Sequence, residues 1–98
     1  VLVSIIIPTY NSGRTIEKTL KSILNQSYRD VEVIVVDNCS VDDTRSIALK
    51  YTGNVVCVRC SRGRARNIGV SMARGSYILF VDSDEELTGN VVAECISQ

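Results

Sequence analysis

Tyr77-Ile78-Leu79-Phe80-Val81-Asp82-Ser83-Asp84 runs from an unbroken apolar segment straight into two carboxylates one residue apart. The apolar part has the length and the aromatic and β-branched content of a strand. Strands buried on both faces read as continuous apolar runs, which is the pattern of a parallel sheet covered by helices. Residues 2–7 and 31–36 repeat the plan, ending at Pro8-Thr9-Tyr10-Asn11 and Asp37-Asn38, and a shorter strand over 55–59 opens the basic stretch from Arg59 to Arg66.

Helical patterns fill the intervals. Residues 15–26 carry Ile16, Leu20, Ile23 and Leu24 on one face, with Lys18 and Lys21 off it. Ser40 reads as the N-cap of a second helix, with Asp42 and Asp43 in its first turn and Gly53-Asn54 as its stop. A third helix over 63–73 offers Ala65, Ile68, Val70 and Met72 for packing, and a fourth begins after Thr88-Gly89. The order βαβαβαβα, with crossovers of helical length, predicts an α/β fold: a three-layer, mostly parallel sheet with flanking helices. With the first strand central, the strand order is 3-2-1-4. The switch point then lies between the first and fourth strands, with Thr9 facing Asp82 across the crevice where such folds bind ligands.

The chain of 98 residues allows one domain, and its 45% hydrophobic and 22% charged residues are ordinary for a globular protein. Zero net charge argues against a nucleic-acid partner. No apolar run reaches the ~20 residues that span a bilayer, and no signal peptide is visible, so the expected location is cytoplasmic, peripheral at the membrane in a longer parent. Cys57 and Cys60 have CxxC spacing, but a zinc site wants a second ligand pair and histidine is absent. Cys39, Cys57, Cys60 and Cys95 therefore read as small buried hydrophobes.

Among the strand-end residues, Asp82 and Asp84 carry the clearest chemistry. In an extended segment they point the same way. Like charges on one face call for a cation or a basic group; hard oxygen ligands favour Mg²⁺ or Mn²⁺, with phosphate oxygens and waters completing the shell, and the alternative is a solvated acidic turn with Glu85 and Glu86. Asp37 and Asn38 fit two readings equally: acceptors for a base or a ribose, or turn formers before the next helix. Tyr10 could stack on a base and Thr9 hydrogen-bond to it, although turn chemistry alone accounts for Thr9, Tyr10 and Asn11. Of the cluster Arg59, Arg62, Arg64 and Arg66, which faces no acid in its own stretch, Arg66 is the candidate for a pyrophosphate.

Taken together, these segments resemble the family-2 glycosyltransferases of the GT-A fold. Residues 3–11 are similar to that family's opening strand, and Ser22-Ile23-Leu24-Asn25-Gln26-Ser27-Tyr28 to its S-x-L-x-Q-[ST]-[YF] helix end. Residues 35–44 resemble its VVDDGSTDDT block, and residues 63–69 and 73–84 its G-x-[AS]-x-ARN-x-G and A-x-G-[ED]-YI-x-F-LDSDD segments. The resemblance implies a nucleotide-sugar-binding half of a GT-A domain over residues 1–98, without the acceptor-binding half. By the same resemblance Thr9 and Tyr10 match base-contacting positions, Asp37 and Asn38 the base and ribose pair, and Arg66 a residue near the nucleotide. Asp82 and Asp84 match the metal and ribose motif. Asn38 stands where a second Asp is frequent, and Cys39 where Gly is common.

The expected activity is transfer of a sugar from a nucleoside diphosphate sugar, uridine or guanosine, to an acceptor hydroxyl with inversion. In this family the catalytic base lies downstream of the D-x-D block. Glu85, Glu86 and Glu94 are the only later acids, and none makes a credible base, so the expected behaviour is donor binding with poor transfer. The rival expectations are a non-catalytic nucleotide-binding module and a self-associating one, joined through an exposed sheet edge or apolar patch.

Overall fold

The computed structural model describes residues 1–97. The elements alternate as β1 (Val3–Thr9), α1 (Ile16–Leu24), β2 (Val31–Asp37), α2 (Thr44–Ala48), β3 (Val55–Cys57), α3 (Arg62–Met72), β4 (Tyr77–Phe80) and α4 (Val91–Ile96). All strands are parallel, and their order is β3-β2-β1-β4, as the pattern of runs and crossovers predicts.

The sheet is covered on both faces, which is why β1 and β2 carry no polar alternation in their centres. Ile5, Ile7, Val33 and Val35 pack with Ile16, Leu20 and Ile23 of α1, Ala48 of α2 and Val92 of α4. Ile6, Ile34 and Val36 face the other way, onto Ala65, Ile68 and Met72 of α3. The two faces are the two phases of the strand period. α3 sits close because Gly69 leaves no side chain between its backbone and Ile6.

Several boundaries and burials differ from the sequence reading. α2 starts at Thr44 rather than after Ser40, because the Ser40 side chain is held by Asp37 and Asn11 and the chain must turn again before a helix can begin. Leu24 and Val70 lie exposed, each on the solvent side of its helix. The cysteines are half-buried or exposed rather than core residues, since Cys57 ends an edge strand and Cys95 faces out from α4. On β4, Tyr77, Ile78 and Phe80 are 45%, 40% and 43% exposed, leaving an apolar edge with no strand beyond it among the described residues. No helix is long and apolar enough to cross a membrane among the described residues.

Candidate functional site

The paired strands β1 and β2 end together, with Thr9 opposite Asp37. β4 stops earlier: Ile6 pairs with Phe80, and Val81 donates one further bond to the Ile6 carbonyl, so continuing the register sets Asp82 beside Pro8 rather than Thr9. The loops leaving these strands enclose a pocket of about 250 Å³, lined among others by Tyr10, Asn38, Arg62 and Ser83. It lies outside the C-terminal strand ends at the switch point between β1 and β4.

The loop after β2 is built around one carboxylate. Asp37 is 0% exposed, yet it accepts four donors: Thr9 Oγ1 at 2.7 Å, Ser40 N at 2.7 Å, Ser40 Oγ at 2.6 Å and, as an ion pair, Arg45 Nε at 3.5 Å. A buried charge is tolerated only when it is paired and hydrogen-bonded in this way. Asp37 therefore underlies the pocket floor rather than opening into it. Thr9, itself 4% exposed, spends its hydroxyl proton on Asp37 and so does not point that donor at a ligand. Asn11 also serves the scaffold. It takes a left-handed turn (φ 49°), its N–H donates to Ser40 Oγ at 2.7 Å, and its side-chain oxygen accepts from Val41 N at 2.9 Å.

Tyr10 and Asn38 remain for a ligand. Tyr10 is 59% exposed at the pocket wall. Asn38 Oδ1 accepts from Cys60 N at 3.0 Å, which orients the amide so that its NH₂ group is the end left to solvent or ligand.

The acidic motif is a turn, not the extended strand assumed from alternation. Asp82 N–H donates to Glu85 Oε1 at 2.8 Å, and Ser83 turns inward. The Ser83 carbonyl accepts from Thr15 Oγ1 at 2.9 Å and from Thr19 Oγ1 at 3.0 Å, while its hydroxyl shares a 2.7 Å hydrogen bond with Ser12. The sequence reading missed this anchor. Its signal was available: Thr15 and Thr19, one helical turn apart, lie beside the apolar face of α1, and a polar group buried there, as Thr19 is, needs a hydrogen-bond partner.

Asp82 Oδ1 lies 3.5 Å from Arg62 Nη1 and 4.0 Å from Arg66 Nη2. Arg66 also lies over the Phe80 ring, 5.5 Å from its centroid, and its buried Nε has no hydrogen-bond partner among the described residues. Asp84, two residues on in the turn, is exposed and, among the described residues, forms no ion pair with a base. No group of three or more histidine, cysteine or acidic side chains is arranged to hold a metal among the described residues. The donor chemistry of Asp82 and Asp84, two hard carboxylates one residue apart, suits a divalent ion whose remaining ligands come from phosphate and water.

The family model described as glycosyl transferase family 2 matches residues 4–98. The chain belongs to that family. It is 42% identical over 89 residues to the Escherichia coli UDP-Glc:alpha-D-GlcNAc-diphosphoundecaprenol beta-1,3-glucosyltransferase WfaP, a match covering 86% of this chain and 36% of that protein. Staphylococcus aureus TarS 1–349, solved in complex with UDP-GlcNAc, superimposes with a TM-score of 0.88 at 33% identity, over 99% of this chain and 30% of that one. The mannosyltransferase PcManGT from Pyrobaculum calidifontis, solved with GDP-Man and Mn²⁺, gives 0.82 at 29% identity, over 93% and 30%. This family-2 chain thus has the GT-A sheet of those enzymes and spans between about a sixth and about a third of the length of the curated relatives it matches.

Proposed function

We propose that the chain is the nucleotide-sugar-binding half of a GT-A domain. Its full-length parent would move a sugar from a nucleoside diphosphate sugar to an acceptor hydroxyl, with inversion. The observation that carries the reading is the make-up of the pocket rim. Tyr10, the oriented Asn38 amide, Arg62 and Ser83 line one crevice at the strand ends, and Arg62 and Arg66 hold Asp82 by ion pairs, one residue before Ser83 and two before Asp84. A nucleoside diphosphate has partners for these groups: a base to stack and hydrogen-bond, and a diphosphate for the guanidinium groups.

Tyr10 offers a stacking face for the base. The Asn38 amide NH₂ can donate to a base carbonyl, which both uracil and guanine present. Arg62 and Arg66 neutralise Asp82 in the free chain. A diphosphate gives their guanidinium groups planar, bidentate acceptors, and the Asp82 carboxylate is then released from them. Asp84 and Asp82 would hold a divalent cation, whose contribution when bound is Lewis-acid stabilisation of charge on the departing diphosphate. Asp37, Thr9, Asn11 and Ser40 keep the base side of the pocket rigid, so binding does not have to order that loop.

Calorimetry with UDP and GDP, each with and without Mn²⁺, tests the reading. Binding of at least one nucleotide should strengthen with Mn²⁺, and Asp84→Ala should abolish the metal-dependent part. Absence of binding to either nucleotide at any Mn²⁺ concentration, or an undiminished metal effect in Asp84→Ala, would reject it.

A further inference from the structure

Outside the donor pocket the fold brings together two thiols. Cys57 is the last residue of β3 and lies in register with Asp37. Cys39 leaves β2 two residues after Asp37 and adopts φ 49°, a left-handed conformation that few residues with a Cβ take. Beyond it the chain runs to the β1 loop, where Ser40 and Val41 meet Asn11, while the Cys39 side chain is left on the β3 side, with its Sγ 2.7 Å from Cys57 Sγ. Cys57 is exposed, Cys39 is half-buried, and both are free. Cys60 is not part of the pair, since its thiol donates to the Val58 carbonyl at 3.2 Å. The hydrogen bond with Cys57 pushes the Cys39 thiol up, against the pull of the Arg59 and Arg45 charges.

We propose that Cys39 and Cys57 form a thiol–disulfide modification site, closed by exchange with a low-molecular-weight disulfide such as oxidised glutathione. Cys57, the more accessible sulfur, gives its proton to solvent, and its thiolate attacks one sulfur of the small disulfide. That S–S bond breaks and one small thiolate leaves, taking up a proton. Cys39 then loses its proton, and its thiolate attacks the Cys57 sulfur and expels the second small thiol. The protein gains one S–S bond and loses two hydrogens, and the reagent is reduced to two thiols. A disulfide needs its sulfurs at ~2.05 Å. The two sulfurs already touch, so side-chain rotation covers the remaining approach. The bond ties the loop carrying Asn38 and Ser40 to the edge strand β3, and its formation does not depend on the donor-binding reading.

Trypsin tests the pairing cleanly, because it separates Cys39 (residues 30–45), Cys57 (51–59) and Cys60 (60–62). The chain is equilibrated over a series of oxidised to reduced glutathione ratios, alkylated with N-ethylmaleimide and digested. The expected product has lost the mass of two hydrogens and yields peptide 30–45 joined to 51–59, with Cys60 and Cys95 alkylated, and dithiothreitol reverses the change. Cys39→Ser and Cys57→Ser should each retain a glutathione adduct and give no linked pair. Linkage of 51–59 to 60–62, or stable glutathione adducts at both Cys39 and Cys57 without linkage, would overturn the proposal.

Discussion

At the scale of single residues, Thr9 and Asp37 show how one buried charge organises a loop. The carboxylate has no contact with water, so every donor around it matters. Thr9→Val keeps the shape and removes the hydroxyl that Asp37 Oδ1 accepts at 2.7 Å. Bonds to a charged, buried acceptor contribute about 1.5–3 kcal/mol. Urea unfolding should show Thr9→Val destabilised by about that amount, with Thr9→Ser recovering most of it. A midpoint within error of wild type would mean that Ser40 and Arg45 already satisfy the carboxylate. The sequence marked Thr9, Asp37 and Asn11 as special, because polar residues at strand ends stand out from the apolar runs. It did not tell a residue that lines the pocket from one that braces it. That distinction depends on which way each side chain turns once the loops meet, and a local pattern carries no such information.

At the scale of elements, the strands and their order were legible because a βαβ chain offers few topologies and its central strands are continuous apolar runs. Helix faces were legible only in part. Leu24 and Val70 fit the apolar period but sit where no neighbour covers them, and the start of α2 was displaced by the tertiary partners of Ser40. Inter-element closeness left a different mark, in glycine. A Cβ on Gly69 would overlap Ile6 Cγ2, a stiff methyl at the centre of the sheet, whereas a Cβ on Gly63 near the start of the same helix meets nothing. Overpacking of this kind costs about 1–3 kcal/mol, which exceeds or cancels the ~1 kcal/mol of helix propensity gained by alanine. Gly63→Ala gains about 0.4–1 kcal/mol with no clash. The thermal unfolding midpoint should therefore rise for Gly63→Ala and stay level or fall for Gly69→Ala. A Gly69→Ala protein as stable as Gly63→Ala would show that α3 does not lie in hard contact with β1.

At the scale of the whole molecule, carboxylates join segments that are distant in the chain, and this makes the fold acid-sensitive. Glu32 on β2 is half-buried. Burial alone would favour its neutral form, but bonds from the Ser4 hydroxyl on β1 and from the Arg74 backbone N–H and guanidinium outweigh that, holding its carboxyl below the ordinary range. Asp42 is likewise lowered, first by the Thr44 hydroxyl, and its other carboxylate oxygen accepts from Gly13 N, joining the β1 and β2 loops. A carboxylate whose native pKa is depressed binds fewer protons folded than unfolded. Its stabilisation is complete above the unfolded value and is lost as pH falls through the native one. For these groups the loss begins below about pH 4, near the ordinary carboxylate values. Glu32→Gln should lower stability at pH 7, and the difference from wild type should shrink steadily as the pH is taken down from about 4. Denaturant unfolding across that range checks it. A Glu32→Gln deficit that stays constant with pH would mean that Glu32 holds β1, β2 and the α3–β4 corner together by shape rather than by charge.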